Sequence, residues 1–438
     1  MDRAIVARAS RLQGLAQMRL WNVVGSGWSL WSESASHGTN FSRAPCTSAV
    51  TRSRGVGADR SFHSSPSPLA EHRVSYRIAA SASGKGHKLS PTKNVINFNP
   101  GKTDAIGLQK GVTAPAWKRT RFDSGEDAFF VSKIDDETNS VAFGVADGVG
   151  GWAEYGVDPA DFSHALCSNM AQVALDWDRK FDKLRARTLM QGGYERCIAD
   201  RTIFAGGSTA SVGVAHQDGK VELANLGDSG SILCRLAAIH HYSVPQTHNF
   251  NTPYQLTLVP PLMRLQSSIF GGRVFEDFPY HANVTNLTMQ HGDVLILATD
   301  GVLDNLFNQD ILNIVTNQMI STGAWNGSSD SGISVSAELD NLTHVGGLVP
   351  SLGISLSPNN HIPNRQMPYA QGQLHTLQSL LALSIVQQAK VASMDYHRDG
   401  PFAKQAQRYR TLDKFRGGKV DDICVVIVVA VEEGRAGP

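Results

Sequence analysis

An α+β domain is the fold the sequence predicts, and three observations predict it. Short apolar strands recur along the chain, each with a carboxylate at or beside its end. Asp218-Gly219 marks an antiparallel hairpin, and two amphipathic stretches read as packing helices.

The elements follow in order. Residues 140–146 alternate large and small apolar side chains (Val141, Phe143, Val145 against Ala142, Gly144, Ala146), the pattern of a strand covered on both faces, and lead to Asp147. Asp158-Pro159 is a helix start, with Asp as the N-cap and Pro at the first helical position. Phe162, Leu166, Met170, Val173, Trp177 and Phe181 then recur at spacings of three or four and mark one apolar face. Residues 208–215 and 220–226 flank the Asp218-Gly219 turn, and this hairpin delivers Asp228. Residues 294–298 form a short apolar strand ending at Thr299-Asp300-Gly301, and a second packing helix spans about 374–393. Residues 423–431, preceded by Asp421-Asp422, make a Val/Ile strand, about half the roughly 20 residues a membrane-spanning helix needs.

The chain has 438 residues, 41% of them hydrophobic, enough for one large domain with accessory segments or two medium ones. Lys+Arg number 40 and Asp+Glu 39, so no global field draws the protein to nucleic acid or an anionic membrane. No basic, aromatic-interleaved stripe is present either, which argues against a nucleic-acid partner and a nuclease. Five cysteines (Cys46, Cys167, Cys197, Cys234, Cys424) form no CxxC pair and have no His at ligand spacing, which excludes a readable disulfide framework or zinc site and suits a reducing compartment.

Up to Arg60 every basic residue is an arginine, serine is frequent, and the acids are Asp2, Glu33 and Asp59. Residues 1–62 therefore read as a mitochondrial transit peptide cleaved after Phe62, the alternative being a disordered basic tail. Residues 63–118, rich in Ser, Gly, Pro and Lys, read as a low-complexity lead-in linker. A catalytic domain is expected over 119–434, carrying a flexible insertion at about 321–373 where Gly, Ser, Asn and Pro dominate.

Glu126, Asp127, Asp147, Asp228, Asp300, Asp304 and Asp421 are far apart in sequence, yet most share one structural position beside a buried strand. Converging carboxylates repel unless cations neutralise them. Oxygen ligands without a His or Cys cluster favour Mg²⁺ or Mn²⁺, and two such ions sharing a water can lower its pKa and aim it at phosphorus. Taken singly, Asp147-Gly148-Val149-Gly150-Gly151, Gly227-Asp228-Ser229 and Asp300-Gly301 could each be a turn; their joint occurrence in this order carries the reading.

These segments, with Gly125-Glu126-Asp127-Ala128, Gly207-Ser208-Thr209-Ala210 and Asp421-Asp422-Ile423, resemble the ordered motifs of metal-dependent protein phosphatases of type 2C. The resemblance implies a four-layer α-β-β-α sandwich, two central and mainly antiparallel sheets flanked by helices, and hydrolysis of phosphoserine and phosphothreonine with two Mn²⁺ or Mg²⁺ ions and room for a weaker third. It implies that Asp147 bridges the metals, that Gly148 offers its carbonyl, and that Glu126 binds the same ion with Asp127 behind it. Asp300 and Asp421 would hold the other ion, and Asp228 and Asp304 a third. Asp422 stands where many relatives have Asn and ranks below Asp421.

Two departures from the family pattern stand out. Val149 replaces a His held to protonate the leaving group. Phe122 occupies the place of a phosphate-clamping arginine, leaving its neighbour Arg121 as the candidate. With Gly150-Gly151-Trp152 and Gln246-Thr247-His248-Asn249-Phe250, these departures resemble the mitochondrial branch of the family. That branch implies phosphorylated matrix proteins as partners and a link to ubiquinone biosynthesis. His248 is a candidate proton donor or substrate contact, or a loop histidine with local hydrogen bonds. A pseudophosphatase acting as a binding module is the rival expectation.

Overall fold

The computed structural model describes residues 73–109, 118, 121–134, 140–178, 183–270, 274–328, 332–348, 376–409, 412 and 414–434. The expected transit peptide at 1–62 lies outside them. Twelve strands build two six-stranded sheets. In chain order they are β1 (Val74–Ser83), β2 (Val95–Phe98), β3 (Ala105–Ile106), β4 (Asp127–Lys133), β5 (Val141–Asp147), β6 (Ala210–Ala215), β7 (Lys220–Leu226), β8 (Gly230–Arg235), β9 (Ala238–Tyr242), β10 (Asn283–Thr288), β11 (Val294–Ala298) and β12 (Ile423–Glu432). One sheet has the order β10-β7-β6-β5-β4-β3 and the other β9-β8-β11-β12-β1-β2, with every neighbouring pair antiparallel.

Period-two alternation sorts the side chains into layers. Phe129, Val131, Phe143 and Val145 of the first sheet meet Ile78, Leu295, Leu297, Val426 and Val428 of the second in a core between the sheets. The alternate residues face outward. Phe130, Ala142 and Ala146 pack under helices α1 (Pro159–Leu175) and α2 (Ala186–Ala199), and Ile296, Val425 and Ile427 under α3 (Asn308–Ser321) and α4 (Leu377–Ser393). This is the expected four-layer sandwich. Asp158 caps α1 as expected, accepting the Ala160 N–H at 3.2 Å, and the second packing helix is α4. The α1 pattern runs short of expectation: the helix ends at Leu175, so Trp177 packs on the core from beyond it.

Two domain assignments need correction. The domain begins at β1, not at 119, because Val74–Ser83 pairs along ten residues with β12 and is buried. The alternation is there (Val74, Tyr76, Ile78, Ala80, Ala82), but it is masked by the small residues Ser75, Ala79, Ser81 and Ser83 on the face that α4 covers. Small side chains let a helix lie close to a strand, and in composition they read as low complexity. The expected insertion is likewise partly built into the fold. Trp325–Ser328 and Gly332–Val335 form a hairpin, Leu339–Thr343 is a short helix, and Trp325 is 1% exposed with its Nε1 donating to the Gly292 carbonyl at 3.2 Å. Residues 349–375 lie outside the described residues. Among those described, no helix is long and apolar enough to cross a membrane.

Candidate metal centre

Antiparallel pairing gathers the acids. Asp127 opens β4 and Asp147 closes β5, and the two stand opposite each other in register. Ala298, closing β11, pairs with both Val425 near the start of β12 and Gly230 at the start of β8. Asp300, Asp421 and Asp228 therefore reach the same end of the sandwich as Asp127 and Asp147. Asp228 lies where the chain crosses from one sheet to the other, between β7 and β8.

Close approach at this end explains the glycines of both Asp-Gly motifs. A Cβ at Gly148 would stand 2.6 Å from the Pro159 carbonyl, and one at Gly301 would collide with the Asp422 carbonyl. Any larger residue would pry the strand ends apart.

Asp147, Asp228 and Asp300 each bring a carboxylate oxygen within 4.8 Å of the others. Asp228 Oδ1 is buried with no hydrogen-bond partner. An orphaned anionic oxygen beside two more carboxylates is costly without a cation, and an all-oxygen donor set suits a hard divalent ion. The residues present therefore fit Mn²⁺ or Mg²⁺.

The electrostatics agree. Burial first, and then Asp300, Asp127 and Asp228, push the Asp147 carboxyl well above its usual range. Burial and Asp422 do the same to Asp127, and burial and Asp300 to Asp228. Burial, then Asp422 and Asp421, raise Glu126 to about 7, and burial and Asp300 raise Asp304 to about 7. Asp300 is the exception: burial pushes it up, but the Lys419 ammonium beside it prevails and holds it below its ordinary value.

A pH dependence follows from these directions. Acids whose folded pKa is raised contribute stability that is complete below the ordinary carboxylate range and lost as pH climbs through the folded value. The lowered acids Asp300, Asp158, Asp218 and Asp399 act below that window. His164, which burial lowers to about 4, and His241, also lowered by burial, work the other way inside it, two groups against the raised carboxyls of Glu126, Asp127, Asp147, Asp228 and Asp304. The metal-free chain is thus expected to lose melting temperature between roughly pH 4 and 7, and divalent ions to restore it most at the upper end. Calorimetry in EDTA and in Mn²⁺ at both ends checks this; a metal-free melting temperature that rises across the window contradicts it.

Some supports were not legible in sequence. Thr299 Oγ1 donates to Asp127 Oδ2 at 2.8 Å, and Thr209 Oγ1 accepts the Asp147 N–H at 3.1 Å while meeting Ser229 Oγ at 2.7 Å. Asp422 accepts the N–H groups of Glu126, at 2.8 Å, and of Lys85. It braces the Glu126 turn. Lys85 Nζ stands 3.9 Å from Asp421 Oδ1. Lys419 contacts Asp300, Asp304 and Asp421; a lysine two residues before a site aspartate was the available signal.

The remaining candidates sit as follows. Arg121 pairs with Asp158 and Asp161 at the start of α1. His248, in the short strand Thr247–Asn249, has its Nε2 2.8 Å from Asp277 Oδ2 and its ring stacked on Tyr254 and Phe275 at 4.3 and 4.5 Å. Val149 packs on an apolar cluster with Trp152 and Val259.

A helix-flanked antiparallel sandwich with carboxylates converging at one end is the frame of a metal-dependent hydrolase. Comparison with family models finds no match. The mitochondrial protein phosphatase 2C homolog 7 of Saccharomyces cerevisiae is 31% identical over 255 residues, covering 58% of this chain and 72% of the yeast protein. On that relationship the chain belongs to the protein phosphatase 2C family, the metal-dependent serine/threonine phosphatases. The PTC7 homolog fig of Drosophila grimshawi is 38% identical and the PTC7 homolog of Xenopus laevis 34%, each over 189 residues and 43% of this chain. The matches span 58% and 60% of those two relatives. Among solved structures, the photosystem II phosphatase PBCP is similar at a TM-score of 0.46 and 22% identity, covering 73% of this chain and 95% of that one.

Proposed function

We propose that this chain hydrolyses phosphoserine and phosphothreonine in mitochondrial proteins, using two Mn²⁺ or Mg²⁺ ions held at the acidic end of the sandwich. The observation that carries the reading is the convergence of Asp147, Asp228 and Asp300 around an unpartnered buried oxygen. Asp147 and Asp300 would be the principal ligands, with Glu126, Asp421 and the Gly148 carbonyl completing the set and Asp228 and Asp304 lying towards a weaker third position. When bound, the ions supply Lewis acidity and lower the pKa of water for attack on phosphorus.

The chain's own groups prepare that step. Thr209 and Thr299 orient Asp147 and Asp127, and Asp422 fixes the turn that presents Glu126. Val149 offers no proton, so the leaving alkoxide must take one from elsewhere, a loss worth about 10²–10⁴-fold in rate where a general acid is missing. Arg121 is held by ion pairs with Asp158 and Asp161, which compete with a substrate phosphate for its guanidinium. The arginine-rich start and the mitochondrial yeast relative support a mitochondrial setting, with the matrix and ubiquinone biosynthesis assigned on resemblance alone.

The rival binding-module reading draws on Val149 and on the engaged Arg121. Turnover of a phosphothreonine peptide by the full chain in Mn²⁺, in Mg²⁺ and in EDTA separates the two. Turnover that EDTA abolishes and either ion restores is expected. Saturable metal binding without turnover on several phosphopeptides would favour the binding module.

A further inference from the structure

Lys419 is built into the acidic end with unusual care. Its Nζ lies 2.6 Å from Asp300 Oδ2, 2.7 Å from Asp304 Oδ2 and 3.1 Å from Asp421 Oδ2. An ammonium has three protons to donate, and here each has its own carboxylate. The side chain is 17% exposed and lies 5.0 Å from the centre of the Phe402 ring.

Its backbone is clamped as well. The buried Asn305 accepts the Lys419 N–H and donates to the Lys419 carbonyl, both at 2.8 Å, and the same amide donates to the Gly301 carbonyl at 2.8 Å. One asparagine thus ties Lys419 to the turn that carries Asp300, so the ammonium is aimed rather than merely attracted.

We propose that Lys419 is a tethered counter-ion for Asp300, Asp304 and Asp421, taking up oxygens a further divalent ion would need. It thereby limits how many ions the centre holds and keeps this end of the sandwich folded when metal is scarce. The proposal rests on the carboxylate cluster being the metal centre. A cation anchored in the chain acts at high effective concentration and needs no free ion, whereas a divalent ion competes from solution. Losing it leaves neighbouring carboxylates facing one another unneutralised, which costs stability without metal and increases the attraction for metal.

The test compares the wild type with Lys419→Met, Lys419→Arg and Lys419→Met/Asp304→Asn, measuring Mn²⁺ binding by calorimetry and melting with and without Mn²⁺. Lys419→Met is expected to bind Mn²⁺ on the order of tenfold or more tighter, the scale on which one neighbouring charge shifts a carboxylate's equilibrium, or to take up one ion more than the wild type. It should also melt lower in EDTA and recover in saturating Mn²⁺. Lys419→Arg should stay near the wild type, and Asp304→Asn should raise the metal-free melting temperature of Lys419→Met by removing a repelling charge. If Lys419→Met does not fold without metal, its refolding in Mn²⁺ and rescue by Asp304→Asn give the same answer. Unchanged ion count, affinity and metal-free melting in Lys419→Met would overturn the proposal. A wild type that binds no Mn²⁺ would instead overturn the metal-centre reading beneath it.

Discussion

Replacing Asp147 by Asn is expected to lower metal-dependent turnover by roughly 10³-fold or more, the scale of losing several kcal/mol of metal-ion catalysis, while raising the melting temperature of the metal-free chain. The two signs have one cause. Asp147 is held among Asp300, Asp127, Asp228 and Asp421, which together with burial oppose its charge. The amide has the same shape, and the backbone contacts of Asp147 with Thr209, the N–H to Oγ1 at 3.1 Å and the carbonyl from the Thr209 N–H at 2.9 Å, survive the change. Only the charge is lost, and with it both the repulsion and the hold on metal. The stability gain should grow with pH, because the wild-type carboxyl must then ionise among its neighbours. Calorimetry and turnover on one preparation decide the matter. A variant that keeps its Mn²⁺ response would show that the cluster is not the metal centre.

Trp325→Ala is the second large effect, an expected loss of about 3–5 kcal/mol of folding stability. Trp325 is 1% exposed, packs with Val315, Met319 and Ile333 beneath the second sheet, and donates to the Gly292 carbonyl at 3.2 Å. Truncation removes a large apolar group and leaves a cavity and an unpaired carbonyl. Denaturant unfolding should show a lower midpoint with an unchanged slope. A midpoint equal to the wild type would mean that the hairpin at 325–335 is peripheral after all.

Trp325 also shows where sequence reading fails. Its neighbours Gly327, Ser328 and Ser329 dominate the local composition, so a buried anchor was read as part of a flexible insertion. β1 failed for the opposite reason, since its period-two face was diluted by the serines and alanines that let α4 approach. The strands that are apolar on both faces, β5, β11 and β12, were legible because burial on two sides leaves little room for polar residues. The site followed the strands: acids placed at their ends were legible as a group, and Asp147, Asp228 and Asp300 do converge.

By itself the sequence determined which residue types could meet: carboxylates beside buried strands, glycines after two of them, a capped helix between, and an arginine-rich start. Tertiary structure alone decided which carboxylate oxygens stand within reach of one another. That Asp422 braces Glu126 while Asp421 faces Lys419, that Arg121 is drawn to α1, and that Val149 turns into an apolar cluster are set by distances of a few ångströms between strands far apart in the chain. Periodicity reports which face of an element is buried; it does not report which neighbour from another element arrives there, and the charge balance of this centre depends on that neighbour.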